Sequence, residues 1–138
     1  MPKAITYIDL FSGIGGFREG LSRAGGFTCM GHCELDKYAD QNYRALFDTE
    51  GEWFCEDIRK AGPKEMPDFD LLCGGFPCQS FSISGRRGGF KDPRGTLFFE
   101  IARLAAEKRP AYLLLENVPG LLNHDGGRTF AAILHTLD

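Results

Sequence analysis

The stretch "AITYIDLFSGIGGFREGLSRA", residues 4–24, decides the fold that the rest of the chain follows. Its first part, Ala4 to Phe11, is a mostly apolar run that predicts a β-strand. Its last part, Gly16 to Ala24, repeats apolar side chains at helical spacing and predicts a helix. Closely spaced glycines between the two permit a tight turn and let a ligand approach the backbone. These are Gly13, Gly15 and Gly16.

The same alternation continues along the chain and predicts an α/β fold with a mostly parallel sheet and helices on both faces. In such sheets ligands bind beyond the carboxyl ends of the strands. The further predicted strands are Phe27–Glu34, Trp53–Cys55, Phe69–Gly75 and Ala111–Asn117. The further predicted helices are Asp36–Phe47, with Asp36 as N-cap, Thr96–Lys108 and a last helix from Gly127 to Leu137.

Length and composition bound the class of protein. A chain of 138 residues corresponds to one domain. The net charge of −3 argues against a uniformly basic nucleic-acid-binding surface, although a local basic patch is compatible with it. No apolar run reaches 18 residues, and the start lacks the cleavage region of a signal peptide, so we expect neither a membrane span nor export.

The cysteines are typical of a reduced, cytoplasmic protein rather than of a disulfide or metal framework. There are five of them, an odd number, without a CxxC pair or zinc-site spacing. Four are expected to act as small buried hydrophobes. These four are Cys29, Cys33, Cys55 and Cys73.

Acidic residues at two strand ends suggest what the glycine turn binds. The turn fails the dinucleotide fingerprint, because Arg18 stands where its third glycine would be, and it lacks a phosphate-loop GK[ST]. Glu34 ends the second strand, 21 residues after Gly13, where a carboxylate can accept hydrogen bonds from a ribose diol. Asp57 follows the third strand. Together they suggest an adenosine-containing ligand such as S-adenosylmethionine, while a structural turn and a capping role for Asp57 stay open.

The stretch "GGFPCQSFS", residues 74–82, follows the fourth strand and contains the fifth cysteine. Pro77 restricts the backbone directly before Cys78, so the thiol is a candidate nucleophile at a strand end. Residues 79–96 carry a net charge of +3, which suits a loop closing on phosphates but equally a solvated loop. Glu116 ends the apolar fifth strand. Partial desolvation there would let it donate a proton; the alternative is that its side chain turns to solvent.

Four motifs resemble the cytosine-5 DNA methyltransferases of the bacterial restriction-modification type, namely "DLFSGIGG", "GGFPCQSFSISG", "DPRGTLFFEIAR" and "ENVPGLLNH". The resemblance covers essentially the whole chain. It implies a Rossmann-like methyltransferase fold, Cys78 as nucleophile and Glu116 as the residue that binds the cytosine edge. It also implies S-adenosylmethionine as cofactor and double-stranded DNA as substrate. The matching cofactor positions are Phe11, Gly13, Gly16, Glu34, Leu35, Asp57, Ile58, Pro77 and Leu97, and the DNA-loop positions are Gln79, Ser82, Ser84 and Arg94.

The family's later motifs, including its target-recognition region, are absent from residues 1–138. We therefore expect the chain to be the N-terminal part of the catalytic and cofactor-binding domain, C-terminally incomplete and inactive alone. The apolar fifth strand would be an uncovered edge, so we expect further chain, covalent or from a second polypeptide, to complete the sheet. An RNA cytosine methyltransferase and a non-catalytic cofactor-binding module remain as alternatives.

Overall fold

The structure, a computed structural model, describes residues 3–76 and 96–138, which form a parallel sheet between two layers of helices. The strands are β1 (Ile5–Leu10), β2 (Phe27–Cys33), β3 (Trp53–Cys55), β4 (Leu71–Gly75) and β5 (Tyr112–Glu116). The helices are α1 (Gly16–Ala24), α2 (Lys37–Leu46), α3 (Thr96–Lys108) and α4 (Arg128–Leu137). Short 3-10 helices at Ile58–Lys60, Pro63–Glu65, Pro119–Leu122 and His124–Gly127 were not predicted.

The sheet order is β3-β2-β1-β4-β5, and every pair in it is parallel. The chain steps outward from β1 to β3 and then crosses to the other side of β1 to form β4. This reversal lies between β1 and β4, and in open α/β sheets a ligand crevice forms at that point. The glycine turn directly follows β1, so it lies at this crevice.

Each face of the sheet buries its own apolar cluster. On one face, Tyr7, Leu71 and Cys73 are covered by Phe17 and Leu21 of α1. The larger cluster on the other face includes α3, whose Phe98, Ile101 and Leu104 are at most 1% exposed. Their spacing puts them on one face of α3, as the helical period predicts. The prediction of helices on both faces is therefore confirmed.

Local signals set the limits of α2. The Asp36 side chain accepts hydrogen bonds from the amides of Tyr38 and Ala39, at 2.8 and 3.1 Å, so the predicted N-cap is confirmed.

Of the cysteines expected to be buried, Cys33 and Cys73 are buried, whereas Cys29 and Cys55 are only half-buried.

Strand β5 lies at the edge of the described sheet and is apolar yet exposed. Tyr112 and Leu114, which share one face of the strand, are 59% and 43% exposed. The expectation of an uncovered edge is confirmed for the described residues.

None of the helices in the described parts of the chain is long and apolar enough to cross a membrane.

A polar cluster is buried beneath the glycine turn, between the sheet and helices α1 and α2. The Tyr43 hydroxyl donates to Asp9 Oδ2 at 3.1 Å, and Arg18 donates to that hydroxyl at 3.2 Å. Arg18 also forms a two-pronged ion pair with Glu52, with distances of 2.8 and 2.9 Å. Asp9 is fully buried, and burial raises its pKa to about 7 although the bond from Tyr43 opposes this. The cluster ties α1, α2 and β1 together.

Replacing Arg18 by Met should lower the free energy of unfolding by about 3–5 kcal/mol, because it leaves Glu52 with a nearly buried, unpaired charge. The Arg18 and Glu52 side chains are 11% and 15% exposed. Arg23→Met is the matched control on the same helix, since its pair with Glu19 is 80% and 51% exposed and should change stability by under about 1 kcal/mol. Urea unfolding followed by circular dichroism measures both, and equal losses would contradict the assignment.

The Asp9→Asn variant should have a flatter dependence of stability on pH than the wild type. The folded chain holds the Asp9 proton up to about pH 7, whereas the unfolded chain loses it near 3.8. Wild-type stability should therefore fall as pH rises through this window, by at most about 1.4 kcal/mol per pH unit, and level off above it. Urea unfolding at several pH values tests this, and parallel curves for the two proteins would refute it.

Candidate functional site

The glycine turn after β1 has a backbone shape that its residues make possible. Gly13 and Gly15 adopt positive φ angles of 56° and 97°. At Gly15 a side chain would also collide with the ring of Phe47, so glycine is required there. Phe11 adopts a φ of 52° despite its side chain, a conformation that costs a non-glycine residue about 1–3 kcal/mol and concentrates at functional sites.

Glu34 joins the glycine turn to the end of β2. Its Oε1 accepts a hydrogen bond from the Gly13 amide at 2.7 Å, and its Oε2 accepts one from the Asp36 amide at 2.8 Å. The amide of Ser12 donates to the Cys33 carbonyl at 3.1 Å and holds the same two segments together. The carboxylate is thus fixed in orientation, and each oxygen keeps a lone pair that can accept a hydroxyl.

Asp57 follows β3 and begins the first 3-10 helix, so the capping role left open by the sequence is confirmed. Its Oδ1 accepts from the Arg59 amide and Nε, and its Oδ2 accepts from Arg59 Nη2, all at 3.0 Å. These bonds lower the pKa of Asp57. Ile58, the next predicted cofactor residue, is 4% exposed and packs in the core.

A cavity of about 510 Å³ lies at the switch point, on the α1 side of the sheet. It is the feature that brings the predicted cofactor residues Phe11 and Gly16 together with the predicted catalytic residue Glu116. Gly75 and Leu114 complete its wall on the side of β4 and β5.

Ser12 also lines this cavity, although the sequence did not single it out. It is 7% exposed, and its hydroxyl has no hydrogen-bond partner among the described residues. A buried hydroxyl without a partner costs free energy, so Ser12 is a candidate for contact with a bound ligand. Its position inside the glycine turn was the available sequence signal.

Glu116 lies at the end of β5 with its carboxylate over the Cα atom of Gly75. A methyl group at position 75 would come within 2.7 Å of Glu116 Oε1. The side chain is exposed, so the partial desolvation expected from the apolar strand is not found. The reason is the edge position of β5, which leaves Leu114 exposed beside it.

Two further predicted cofactor residues, Leu35 and Leu97, do not line the cavity. Leu35 is 59% exposed, next to Glu34, and Leu97 packs half-buried against the core at the start of α3. The remaining predicted site residues lie outside the described residues, so their roles stay predictions. They are Pro77, Cys78, Gln79, Ser82, Ser84 and Arg94.

Known proteins resemble the chain in sequence and in fold. The type II methyltransferase M1.ScrFI of Lactococcus lactis subsp. cremoris is 52% identical over 131 residues, which are 95% of this chain and 33% of that protein. The type II methyltransferase M.HhaI of Haemophilus parahaemolyticus is 46% identical over 134 residues, 97% of this chain and 40% of that protein. The crystal structure of S. pombe Dnmt2 methyltransferase matches with a TM-score of 0.71 and 25% identity, over 95% of this chain and 41% of that one.

These matches span about a third to two fifths of each known protein's length. The family model described as C-5 cytosine-specific DNA methylase matches residues 5–138. The expected Rossmann-like methyltransferase fold is confirmed by the parallel sheet and by the Dnmt2 match. On the family model and the identity to its curated members, the chain belongs to the C-5 cytosine-specific DNA methylases.

Proposed function

We propose that the chain provides the catalytic and cofactor-binding part of an enzyme that methylates carbon 5 of cytosine in DNA, of the restriction-modification type. Its relatives carry the name type II methyltransferase. The observation that carries the proposal is the cavity at the switch point, where Phe11 and Gly16 share a wall with Glu116. A cofactor and a target base could meet there.

The residues around this cavity fit S-adenosylmethionine. Glu34 has lone pairs that can accept hydrogen bonds from a ribose diol, and the Ser12 hydroxyl has no partner among the described residues. The glycine turn brings backbone amides close to the ligand without a phosphate requirement. Asp57 is proposed to bind the adenine amino group, and Leu35 is proposed to line the cofactor pocket. When bound, S-adenosylmethionine supplies a methyl group on a positively charged sulfur.

Cys78 and Glu116 divide the chemistry between them. The Cys78 thiolate forms a bond to cytosine carbon 6, and the electrons of the carbon 5–carbon 6 double bond become available for methylation at carbon 5. Glu116 hydrogen-bonds or protonates the ring nitrogen that receives charge during this addition. Loss of the proton from carbon 5 to a base restores the double bond and expels Cys78 as thiolate.

The substrate must reach the cavity as a flipped-out base, because a base stacked inside a duplex cannot enter a pocket of the protein. We assign Gln79, Ser82, Ser84 and Arg94 to contacts with the DNA backbone around that base. The net charge of −3 leaves most groove contacts to parts of the protein beyond residues 1–138. Target recognition, and any activity of these residues alone, therefore depend on those parts.

The decisive experiment offers the protein at its natural length duplex DNA containing 5-fluorocytosine together with S-adenosylmethionine. Fluorine at carbon 5 blocks the final elimination, so the bond between Cys78 and carbon 6 should persist as a denaturation-resistant adduct. Gel electrophoresis detects it. RNA of the same sequence is the parallel substrate, and we expect an adduct with DNA only.

The Cys78→Ala variant is the control for this adduct, with Cys73→Ala as the matched control at a buried cysteine. We expect no adduct from the first and an adduct from the second. An adduct that survives Cys78→Ala would sink the mechanism, and so would none from the wild type. An adduct with RNA alone would indicate an RNA cytosine methyltransferase instead of a DNA methyltransferase.

Glu34→Gln should weaken the binding of S-adenosylmethionine roughly 10- to 100-fold, because hydrogen bonds to a charged acceptor are worth about 1.5–3 kcal/mol. Isothermal titration calorimetry measures the change. Glu50→Gln makes the same substitution at an exposed site and should leave the affinity unchanged. Unaltered affinity in Glu34→Gln would remove the carboxylate from the proposed cofactor site.

A further inference from the structure

Asn117 forms a side-chain bridge between the ends of two neighbouring strands. Its Nδ2 donates a hydrogen bond to the Phe76 carbonyl at 3.0 Å, across 41 residues of sequence. Its Oδ1 accepts one from the amide of Val118 at 2.8 Å. Because one end of the amide donates and the other accepts, the side chain is bound in a single orientation.

The bridge stands where the ladder between β4 and β5 stops. The last backbone pair of that ladder is Gly75 with Glu116. Asn117 and Phe76 each come one residue later, so the amide side chain takes over the connection between the strands. A shift of either strand end would break it.

The two residues of the bridge lie close in sequence to the residues proposed to carry out the chemistry. Phe76 stands two residues before Cys78, and Asn117 directly follows Glu116. The Phe76 ring is already held in the core, with its centroid 5.5 Å from that of Phe98. The bond from Asn117 adds a restraint on the backbone carbonyl of the same residue. Since a peptide group is planar, this bond restrains the peptide that connects Phe76 to the segment containing Cys78.

The opposing position on β4 is equally constrained. The carboxylate of Glu116 occupies the space over Gly75 that a side chain would fill. Its placement therefore depends on the distance between β4 and β5 at this level, and the Asn117 bridge maintains that distance one residue further on.

We propose that Asn117 is a positioning residue, which aligns the chain leading to Cys78 with Glu116 so that both address the same base. This inference rests on the proposed function. It predicts an effect on the chemical step rather than on cofactor affinity, because catalysis is sensitive to shifts near 1 Å. A merely structural bridge would instead reduce stability, cofactor binding and rate together.

Asn117→Asp tests the inference at nearly constant shape, since it replaces the donor by an oxygen that faces the Phe76 carbonyl. The protein at its natural length is assayed for the single-turnover rate of adduct formation with 5-fluorocytosine DNA at saturating S-adenosylmethionine. Calorimetry gives the cofactor affinity, and the rate is scaled to the fraction of protein that binds cofactor. We expect the rate to fall about 10- to 100-fold and the affinity to change less than threefold.

Asn42→Asp is the matched control, because Asn42 Nδ2 also donates to a backbone carbonyl, that of Tyr38 at 3.1 Å, but on the exposed surface of α2. It should change neither quantity more than twofold. Asn117→Gln retains the donor on a longer side chain and should lose less rate than Asn117→Asp. If Asn117→Asp does not fold, Asn117→Gln provides the test in its place.

The outcomes separate this inference from the function on which it rests. Absence of an adduct from the wild type refutes the function itself. A wild-type adduct with an Asn117→Asp rate equal to that of Asn42→Asp overturns the positioning role alone. Parallel losses of rate and cofactor affinity in both Asn117 variants overturn it too, because they indicate a structural role.

Discussion

The central strand β1, paired in parallel with β2 on one side and β4 on the other, is the constraint on which the rest of the structure depends. The chain leaves its carboxyl end through the glycine turn, so the position of that turn is set by two ladders at once. The reversal of strand order beside β1 opens the crevice in which the cavity lies. Glu34 reaches the turn because β2 is the neighbour, and Gly75 borders the cavity because β4 is the other.

The turn is also supported by a buried cluster of polar and charged side chains. Asp9 is the residue before the end of β1, and it connects through Tyr43 to Arg18 and Glu52. Burying such groups is costly unless each finds partners, so the cluster permits little movement of α1 or α2 relative to β1. A rigid support of this kind suits the proposed cofactor site, where the Glu34 carboxylate is proposed to bind a ribose. Phe11, with its positive φ of 52°, lies two residues after Asp9 and is therefore next to this support.

The other half of the site is less enclosed. Strand β5 exposes Tyr112 and Leu114, and Glu116 stands at its exposed end. An apolar edge strand of this kind is normally covered. The known proteins that match the chain are about two and a half to three times as long, and their additional length offers material for that cover. Among the described residues, the Glu116 carboxylate lies over Gly75, and Asn117 donates a hydrogen bond to the Phe76 carbonyl.

The sequence by itself determined the order of the elements, most of their limits to within one or two residues, and the residue types of the site. Apolar spacing, the glycines after β1 and the Asp36 cap act within a few residues, so they can be read along the chain. Only the tertiary structure decided which strands became neighbours, and with this the bond from Gly13 to Glu34 and the bridge from Asn117 to Phe76, across 21 and 41 residues. It also decided that Glu116 is exposed and that the Ser12 hydroxyl is buried without a partner among residues 3–76 and 96–138. Such properties depend on the packing of distant segments, which no local pattern encodes.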